Sequence, residues 1–356
     1  MRERKFLVLE NGKIFEGVPF GAWKEAMAEL VFTTGMTGYL ETLTDKSYRG
    51  QAVIQTFPLI GNYGVIPDDF EGSTVGPAAY IVKEWCRHPS NFRSQGEIDT
   101  FLKEHDIPGL SEIDTRSLAK IIRESGVMNG ALTDDPNSVD MDALRAYTIR
   151  DAVPESSTKD IYTVNAGPNK KHVVLMDFGL KENIKRKLLR LDCQVTVVPH
   201  NMSAADILQI GADGIMLSNG PGDPADNPLI IETLKELTKS GIPIFGICLG
   251  HQLLALANGF ETTKLKYGHR GANQPARNLD TGRVYITSQN HGYAVVSESI
   301  KGGGREFFKN VNDGSCEGIE YTSFPGFSVQ FHPEACGGPQ DTSFLFDRFL
   351  KMMEVR

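Results

Sequence analysis

Long hydrophobic runs are missing from this sequence of 356 residues. No stretch approaches the ~20 apolar residues that a membrane-spanning helix requires. The apolar segment after the charged start covers only residues 6–9 and is far too short for a signal-peptide core. We therefore expect a cytoplasmic protein without a membrane partner.

An excess of positive charge is also missing, because 37 Lys and Arg residues are opposed by 45 Asp and Glu residues, for a formal net charge of -8. The sequence has no long basic run interleaved with aromatic residues. Such a chain has little electrostatic attraction for a phosphate backbone. We expect no nucleic-acid partner.

Cysteine is sparse and odd in number, with residues at positions 86, 193, 248, 316 and 336. A disulfide framework would need denser spacing, so reduced thiols are expected. No pair has Cys-x-x-Cys spacing, and Cys248 with His251 is an isolated Cys-x-x-His, so no metal site is predicted. The Gly-x-x-x-x-Gly-Lys-Ser/Thr pattern of a phosphate-binding loop is absent as well, so no cofactor is predicted on this chain.

The composition is that of a globular protein, with 40% hydrophobic and 23% charged residues. The length favours two domains. Residues 1–150 mix strand and helix patterns, and the polar residues 151–171 predict a surface connection. Residues 172–356 alternate strands with helices, which predicts parallel βαβ units in a doubly wound sheet. The predicted class is α/β, with a mixed β/α domain first.

One cysteine occupies the turn between a predicted buried strand, residues 244–247, and an apolar helix. Gly246 and Gly250 flank Cys248 as glycines flank the nucleophile of Gly-x-Ser-x-Gly hydrolases. A helix N-terminus behind the sulfur favours the thiolate. A buried structural role is commoner for an arbitrary cysteine, but this glycine frame after a strand favours a nucleophile.

A candidate base follows another predicted strand, in residues 327–331. Residues two apart along an extended chain point the same way, so Glu334 would orient the imidazole of His332 toward the sulfur. Gly220 and Gly222, after a further strand, would let backbone N–H groups approach a developing oxyanion. Taken singly, both segments are also typical of ordinary turns.

Three motifs together resemble the class I glutamine amidotransferases. They are residues 246–252 (Gly-Ile-Cys-Leu-Gly-His-Gln), 219–224 (Asn-Gly-Pro-Gly-Asp-Pro) and 330–334 (Gln-Phe-His-Pro-Glu). Further segments resemble the small subunits of carbamoyl-phosphate synthases: residues 32–39, 43–48, 60–64, 113–116 and 177–184. The second resemblance extends over nearly the whole chain.

This resemblance implies that Cys248, His332 and Glu334 hydrolyse L-glutamine to glutamate and ammonia through a glutamyl thioester. A separate large subunit would use the ammonia, with bicarbonate, two ATP and Mg, for carbamoyl phosphate in arginine or pyrimidine biosynthesis, as a heterodimer or higher oligomer. The implied glutamine contacts are Ser47, reaching across the domain interface, and Gly220, Gly222, Leu249, Gln252, Asn290, Gly292 and Tyr293.

Two positions depart from the family pattern. Tyr293 stands where Phe is usual, and Cys336 adds a thiol just after Glu334.

Two other functions fit parts of the sequence. The C-terminal motifs alone would suit a free-standing Cys-His-Glu hydrolase of γ-glutamyl bonds or small amides, which would need no partner for activity. An inactive regulatory subunit would retain the fold but lose a triad residue, and all three are present.

Overall fold

The computed structural model describes residues 3–168 and 170–354, and the chain divides into two compact units, Met1–Ala152 and Val153–Arg356. Asn169, in the predicted connection, lies outside the described residues. Among the residues described, no helix is both long enough and apolar enough to cross a bilayer.

The first unit is built on a sheet that closes on itself in the order β1-β2-β6-β5-β4-β3-β7. Its strands are β1 (Lys5–Leu9), β2 (Ile14–Gly21), β3 (Ala26–Thr33), β4 (Gln51–Ile60), β5 (Ala79–Trp85), β6 (Pro108–Ser111) and β7 (Met128–Thr133). The dipeptide Asn11-Gly12 between two short apolar runs predicts a hairpin. This hairpin joins β1 to β2, and Gly12 adopts the left-handed φ of 84° that its tight turn requires.

From Lys5 to Ala146, the described chain adds short helices to this sheet: α1 (Tyr39–Leu43), α2 (Ile98–Glu104), α3 (Thr115–Ser125) and α4 (Met141–Ala146). The apolar spacing of residues 111–125 predicts a helix, and the observed helix α3 begins four residues later, at Thr115. Asp114 caps it by accepting a hydrogen bond from the backbone N–H of Ser117 at 2.9 Å. Ser111 instead ends strand β6, where its hydroxyl donates to the carbonyl of Val18.

The second unit contains a ten-stranded sheet in the order β14-β13-β15-β16-β17-β12-β11-β9-β10-β8. Its strands are β8 (Tyr162–Val164), β9 (His172–Asp177), β10 (Gln194–Pro199), β11 (Gly214–Leu217), β12 (Ile244–Ile247), β13 (Thr262–Asn278), β14 (Val284–Val295), β15 (Gly304–Asn310), β16 (Cys316–Tyr321) and β17 (Gly326–Val329). Strands β10, β9, β11, β12 and β17 are mutually parallel, and antiparallel strands extend the sheet on both sides.

Helices cover both faces of the parallel strands. They are α5 (Ala152–Ser156), α6 (Glu182–Arg190), α7 (Ala204–Gln209), α8 (Pro228–Leu237), α9 (Leu249–Ala257) and α10 (Phe344–Glu354). Val174 and Met176 of β9 pack in one core with α7, α8 and α9, whereas Val173 and Leu175 pack in the other with α6 and α10. Successive strand residues thus bury opposite faces, and the predicted α/β doubly wound class is confirmed.

The stretch predicted as a surface connection, residues 151–171, has regular structure of its own. Strand β8 pairs antiparallel with β10 at the sheet edge, where the hydroxyls of Thr163 and Thr196 lie 2.8 Å apart. The polar composition that suggested a loop is therefore also that of a short edge strand with exposed side chains.

Candidate active site

The candidate residues follow neighbouring parallel strands. Cys248 follows β12, His332 lies three residues beyond β17, Gly220 lies just beyond β11, and Lys181 lies beyond β9. These four strands are adjacent in the sheet and run in the same direction. Their carboxyl ends therefore meet at one edge, which is where doubly wound sheets bind ligands.

Cys248 occupies a strained turn between β12 and α9, with φ 53° and ψ -105°. A non-glycine residue adopts such a conformation only when its surroundings impose it. A Cβ on Gly246 would lie 2.8 Å from the carbonyl oxygen of Gly250, and one on Gly250 would lie 2.6 Å from that of Leu217. Both glycines are therefore required by the close backbone packing of this strand-to-helix turn at Cys248, which we call the elbow.

The thiol of Cys248 is buried, with 2% of the residue exposed. Its Sγ donates a weak hydrogen bond to the backbone carbonyl of Asn290, at 3.6 Å. The structure thus brings the predicted nucleophile against the segment of β14 that carries three of the predicted glutamine contacts.

His332 and Glu334 form a buried pair after β17. The Nδ1 atom of His332 lies 2.7 Å from Oε1 of Glu334, and both side chains are almost fully enclosed. Within the part of the chain that is described, Nε2 of His332 makes no hydrogen bond. The backbone N–H of His332 donates to the carbonyl of Ser288 at 2.9 Å, which fixes the segment to β14.

Opposing influences act on this imidazole. Burial and the ammonium of Lys181 lower the pKa of His332, but the Glu334 carboxylate and the Cys248 sulfur outweigh both and raise it to about 9. Burial raises the pKa of Glu334, but His332 and then Lys181 more than offset this, and the net shift is downward. The arrangement therefore favours an ionised carboxylate beside an imidazole that holds its proton firmly.

Lys181 was not among the predicted site residues. Its Nζ lies 3.5 Å from Nδ1 of His332, so a cation adjoins the histidine–carboxylate pair. The lysine belongs to residues 177–184, which resemble the carbamoyl-phosphate synthase small subunits, but this resemblance indicated no role for it. No local spacing relates it to a residue 151 positions away.

Side-chain hydrogen bonds hold the Lys181 segment against the glycine loop after β11. Asn219 accepts from the backbone N–H of Lys181 at 3.0 Å and donates to the carbonyl of Gly179 at 3.0 Å. Asp177 caps the same turn by accepting from the N–H groups of Gly179 and Leu180. The two loops therefore support each other beside the elbow.

Gly220 and Leu249 come together at this point. A Cβ on Gly220 would lie 2.7 Å from Cδ2 of Leu249 and would clash with the carbonyl oxygen of Phe178, so glycine is required. Gly222 follows with a left-handed φ of 88°. Leu249 is the first residue of α9, where N–H groups lack intrahelical acceptors.

Gln252 links α9 to β14 and to the residue that follows β17. Its Nε2 donates to the backbone carbonyl of Tyr293 at 2.8 Å and to Oε1 of Gln330 at 2.9 Å. Gly292, between Asn290 and Tyr293, packs near the guanidinium of Arg270. The structure thus brings Gln252, Asn290, Gly292 and Tyr293 to the same region of the second unit.

Ser47 lies in the first unit, in a single turn of 3-10 helix at Lys46–Tyr48. It is buried, and its backbone N–H donates to Oδ1 of Asp45 at 2.9 Å. Its part in glutamine binding stays a prediction.

Two other residues near the motifs have local partners. The fully buried His251 places Nδ1 2.8 Å from the hydroxyl of Ser328, and burial lowers the pKa of His251 to about 3, so its imidazole is neutral. Cys336 is exposed, and its sulfur accepts from Nδ2 of Asn183 at 2.7 Å.

A buried thiol, an imidazole and a carboxylate in this order suit nucleophilic attack on an acyl carbon. Comparison with known families gives two matches. Residues 174–352 match the glutamine amidotransferase class-I family, and residues 7–132 match the CPSase domain of the carbamoyl-phosphate synthase small chain.

Known relatives match along nearly their whole length. The carbamoyl phosphate synthase small chain of Oceanobacillus iheyensis is 51% identical over 100% of this chain and 97% of its own. The carbamoyl phosphate synthase small chain of Bacillus cereus is 51% identical over 99% of this chain and 96% of its own. That of Lactococcus lactis subsp. cremoris is 49% identical over 99% of this chain and 98% of its own.

Proposed function

The chain belongs to the family of carbamoyl phosphate synthase small chains, the glutamine amidotransferase subunits of a ligase complex, and on this premise we propose that Cys248, His332 and Glu334 hydrolyse L-glutamine. The products are glutamate and ammonia. The observation that carries the proposal is the buried pairing of His332 with Glu334, 2.7 Å apart, beside the thiol of a strained strand-to-helix turn.

In the first half-reaction His332 has already taken the thiol proton, and the Cys248 sulfur attacks the carboxamide carbon as a thiolate. The tetrahedral intermediate collapses, the C–N bond breaks, and the imidazolium gives its proton to the departing ammonia. A glutamyl thioester remains on Cys248. The raised pKa of His332 supports this role, because the imidazole holds the proton between the two transfers.

In the second half-reaction His332 takes a proton from water, whose oxygen attacks the thioester carbon. The C–S bond breaks, glutamate leaves, and His332 keeps the proton beside the released Cys248 thiolate. The backbone N–H groups of Leu249 and of the Gly220–Gly222 loop donate to the oxyanion in both halves, at about 3 kcal/mol per donor.

The substrate offers an α-carboxylate, an α-ammonium and a primary amide, which call for backbone groups and neutral partners. Gly220, Gly222, Leu249, Gln252, Asn290, Gly292 and Tyr293 are the proposed contacts, together with Ser47. Support comes from the hydrogen bonds that join Gln252 to Tyr293 and the Cys248 thiol to Asn290. Tyr293, which stands where Phe is usual in the family, keeps the same aromatic surface.

The acceptor of the ammonia is, in this proposal, a large-subunit partner that makes carbamoyl phosphate from bicarbonate and ATP with Mg, for arginine or pyrimidine biosynthesis. The phosphoryl chemistry is assigned to that partner because this sequence has no recognisable phosphate-binding loop.

A diazoketone analogue of glutamine, with the electrophile in place of the carboxamide, tests the nucleophile directly. After reaction with the complex of both subunits, peptide mass mapping is expected to find one adduct, on the buried Cys248, and excess glutamine is expected to prevent it. The exposed Cys336 supplies the control, in a Cys336→Ser variant that labels normally. Labelling confined to Cys336, or labelling insensitive to glutamine, would argue against the proposed site.

A further inference from the structure

A cluster of two histidines and a glutamate lies inside the antiparallel part of the second unit. His269 of β13 and His291 of β14 are cross-strand partners, and Glu317 lies on β16. At most 9% of each residue is exposed. One nitrogen or oxygen atom from each of the three side chains lies within 4.8 Å of the other two. We call these three residues the His-His-Glu cluster.

Each histidine turns one ring nitrogen without a proton toward the inside of the His-His-Glu cluster. Nε2 of His269 lies 2.8 Å from Oδ2 of Asp313, so the N–H is on that side and Nδ1 faces Oε1 of Glu317 at 3.7 Å. Nδ1 of His291 lies 2.7 Å from the carbonyl oxygen of Tyr293, which requires the N–H there. Nε2 of His291 is left with its lone pair.

A second hydrogen-bond acceptor lies opposite the lone pair on Nε2 of His291. Oε1 of Gln289 lies 3.1 Å from Nε2 of His291, while Nε2 of Gln289 donates to the hydroxyl of Thr287. Two acceptor atoms at hydrogen-bond distance repel each other unless a cation or a proton lies between them.

The glutamate is also incompletely paired. Glu317 is fully buried, and its Oε1 accepts from Nδ2 of Asn310 at 2.8 Å. Among the described residues, Oε2 of Glu317 has no hydrogen-bond partner. A buried carboxylate oxygen without a partner is costly, so this oxygen marks a place for a positive group.

We propose that the His-His-Glu cluster binds a divalent transition-metal ion of the zinc type. The ligands are Nδ1 of His269, Nε2 of His291 and a carboxylate oxygen of Glu317, with Oε1 of Gln289 or a water in the fourth position. Ligand atoms around tetrahedral zinc are about 3.4 Å apart, given bonds of ~2.0 to 2.2 Å, so small side-chain movements close the site.

The surroundings fit those of metal-bound histidines. Such a histidine donates its other N–H to a carboxylate or a backbone carbonyl. Asp313 meets this need for His269 and the Tyr293 carbonyl meets it for His291. The expectation of no metal rested on cysteine spacing, whereas these ligands come from three strands that meet only in the folded chain.

An ion here would cross-link β13, β14 and β16. His291 lies directly between Asn290, whose carbonyl accepts from the Cys248 thiol, and Gly292. The ion would therefore stiffen the segment next to the nucleophile without touching the reacting atoms.

Cobalt(II) provides a visible probe of this site. The full-length chain carries Cys248→Ser, which removes the buried active-site thiol as an alternative ligand, and is stripped with a chelator. Titration with Co²⁺ is expected to give d–d absorption of a low-coordinate nitrogen and oxygen site, without sulfur charge-transfer bands, at one ion per chain. Zn²⁺ is expected to displace the Co²⁺ stoichiometrically. If the stripped chain develops no such absorption, the proposal is wrong, and a proton rather than a metal ion is shared within the cluster.

Variants locate the ion. Glu317→Gln keeps an acceptor for Asn310 but removes the charge, and His269→Asn removes a nitrogen ligand. Each is expected to weaken Co²⁺ binding at least ten-fold and to abolish the rise in melting temperature that the metal gives the parent chain. His88→Asn, at an exposed histidine of the first unit, should bind as the parent does. Unchanged affinity in both ligand variants overturns the assignment, and the titration of the parent chain decides the question even if a variant does not fold.

Discussion

At the scale of single residues, the protonation of His332 depends on burial and on the charged groups around it. The Glu334 carboxylate offsets much of the cost of burying a charged imidazole, and the Lys181 ammonium acts against it. The balance leaves the pKa of His332 at about 9, so the imidazole keeps its proton at neutral pH and loses it as the pH rises through that value.

Glu334→Gln tests this balance. Removing the carboxylate removes a cause of the raised pKa of His332, so the alkaline limb of kcat/KM for glutamine, expected near pH 9 in the parent chain, should move toward neutral pH. We also expect kcat to fall by roughly 10²-fold or more, because the imidazole loses its orienting partner. The measurement is glutamate release from pH 6 to 10, with the exposed Glu261→Gln as control. An unmoved alkaline limb would show that another group titrates there.

Local spacing decided which of these residues the sequence could reveal. His332 and Glu334 are two positions apart at a strand end, so their pairing was predictable from the pleat alone. Lys181 was not predictable in the same way, because strand order within the sheet, rather than spacing along the chain, brings it to His332. The same reason hid the His-His-Glu cluster.

At the scale of elements, the elbow depends on backbone packing between α9 and β11. Gly250→Ala would place a methyl group 2.6 Å from the Leu217 carbonyl oxygen, in contact with backbone that has no room to move. We expect a loss of about 1 to 3 kcal/mol in unfolding free energy, together with reduced glutamine hydrolysis.

Urea unfolding and steady-state glutamate release measure these effects. The matched control is Gly96→Ala, since a Cβ there meets only Val65, at 4.0 Å. If Gly250→Ala unfolds at the same urea concentration as Gly96→Ala and retains full activity, the close approach of helix and strand is not what demands glycine.

Periodicity predicted the parallel strands and the helices between them, because buried strands alternating with amphipathic helices leave a strong pattern. The antiparallel strands β13 to β16 were not assigned. In β13 the 17 residues include several charged side chains, Pro275 and two register shifts, so the alternation that marks a strand is broken. Long-range pairing with β14 stabilises this strand despite its weak local signal.

At the scale of the whole molecule, this chain is one subunit of a ligase complex, and its glutamine hydrolysis should respond to the partner. We expect slow glutamate release by the isolated chain and a rise of about ten-fold to a hundred-fold when the large subunit, ATP and bicarbonate are present. A change of that size needs only ~1.4 to 2.7 kcal/mol of differential binding between two states of the site.

The comparison is between steady-state rates of the isolated chain and of the complex, with and without ATP and bicarbonate. The control omits bicarbonate alone, which separates subunit binding from turnover of the partner. Equal rates under all conditions would identify a free-standing glutaminase.

The most direct test of the central claim uses Cys248→Ser in the reconstituted complex, with Cys336→Ser as the matched thiol control. Carbamoyl phosphate is measured with either glutamine or ammonia as the nitrogen source. The account predicts that Cys248→Ser abolishes synthesis from glutamine and leaves synthesis from ammonia intact, whereas Cys336→Ser supports both. Substantial synthesis from glutamine by the Cys248→Ser complex would contradict it.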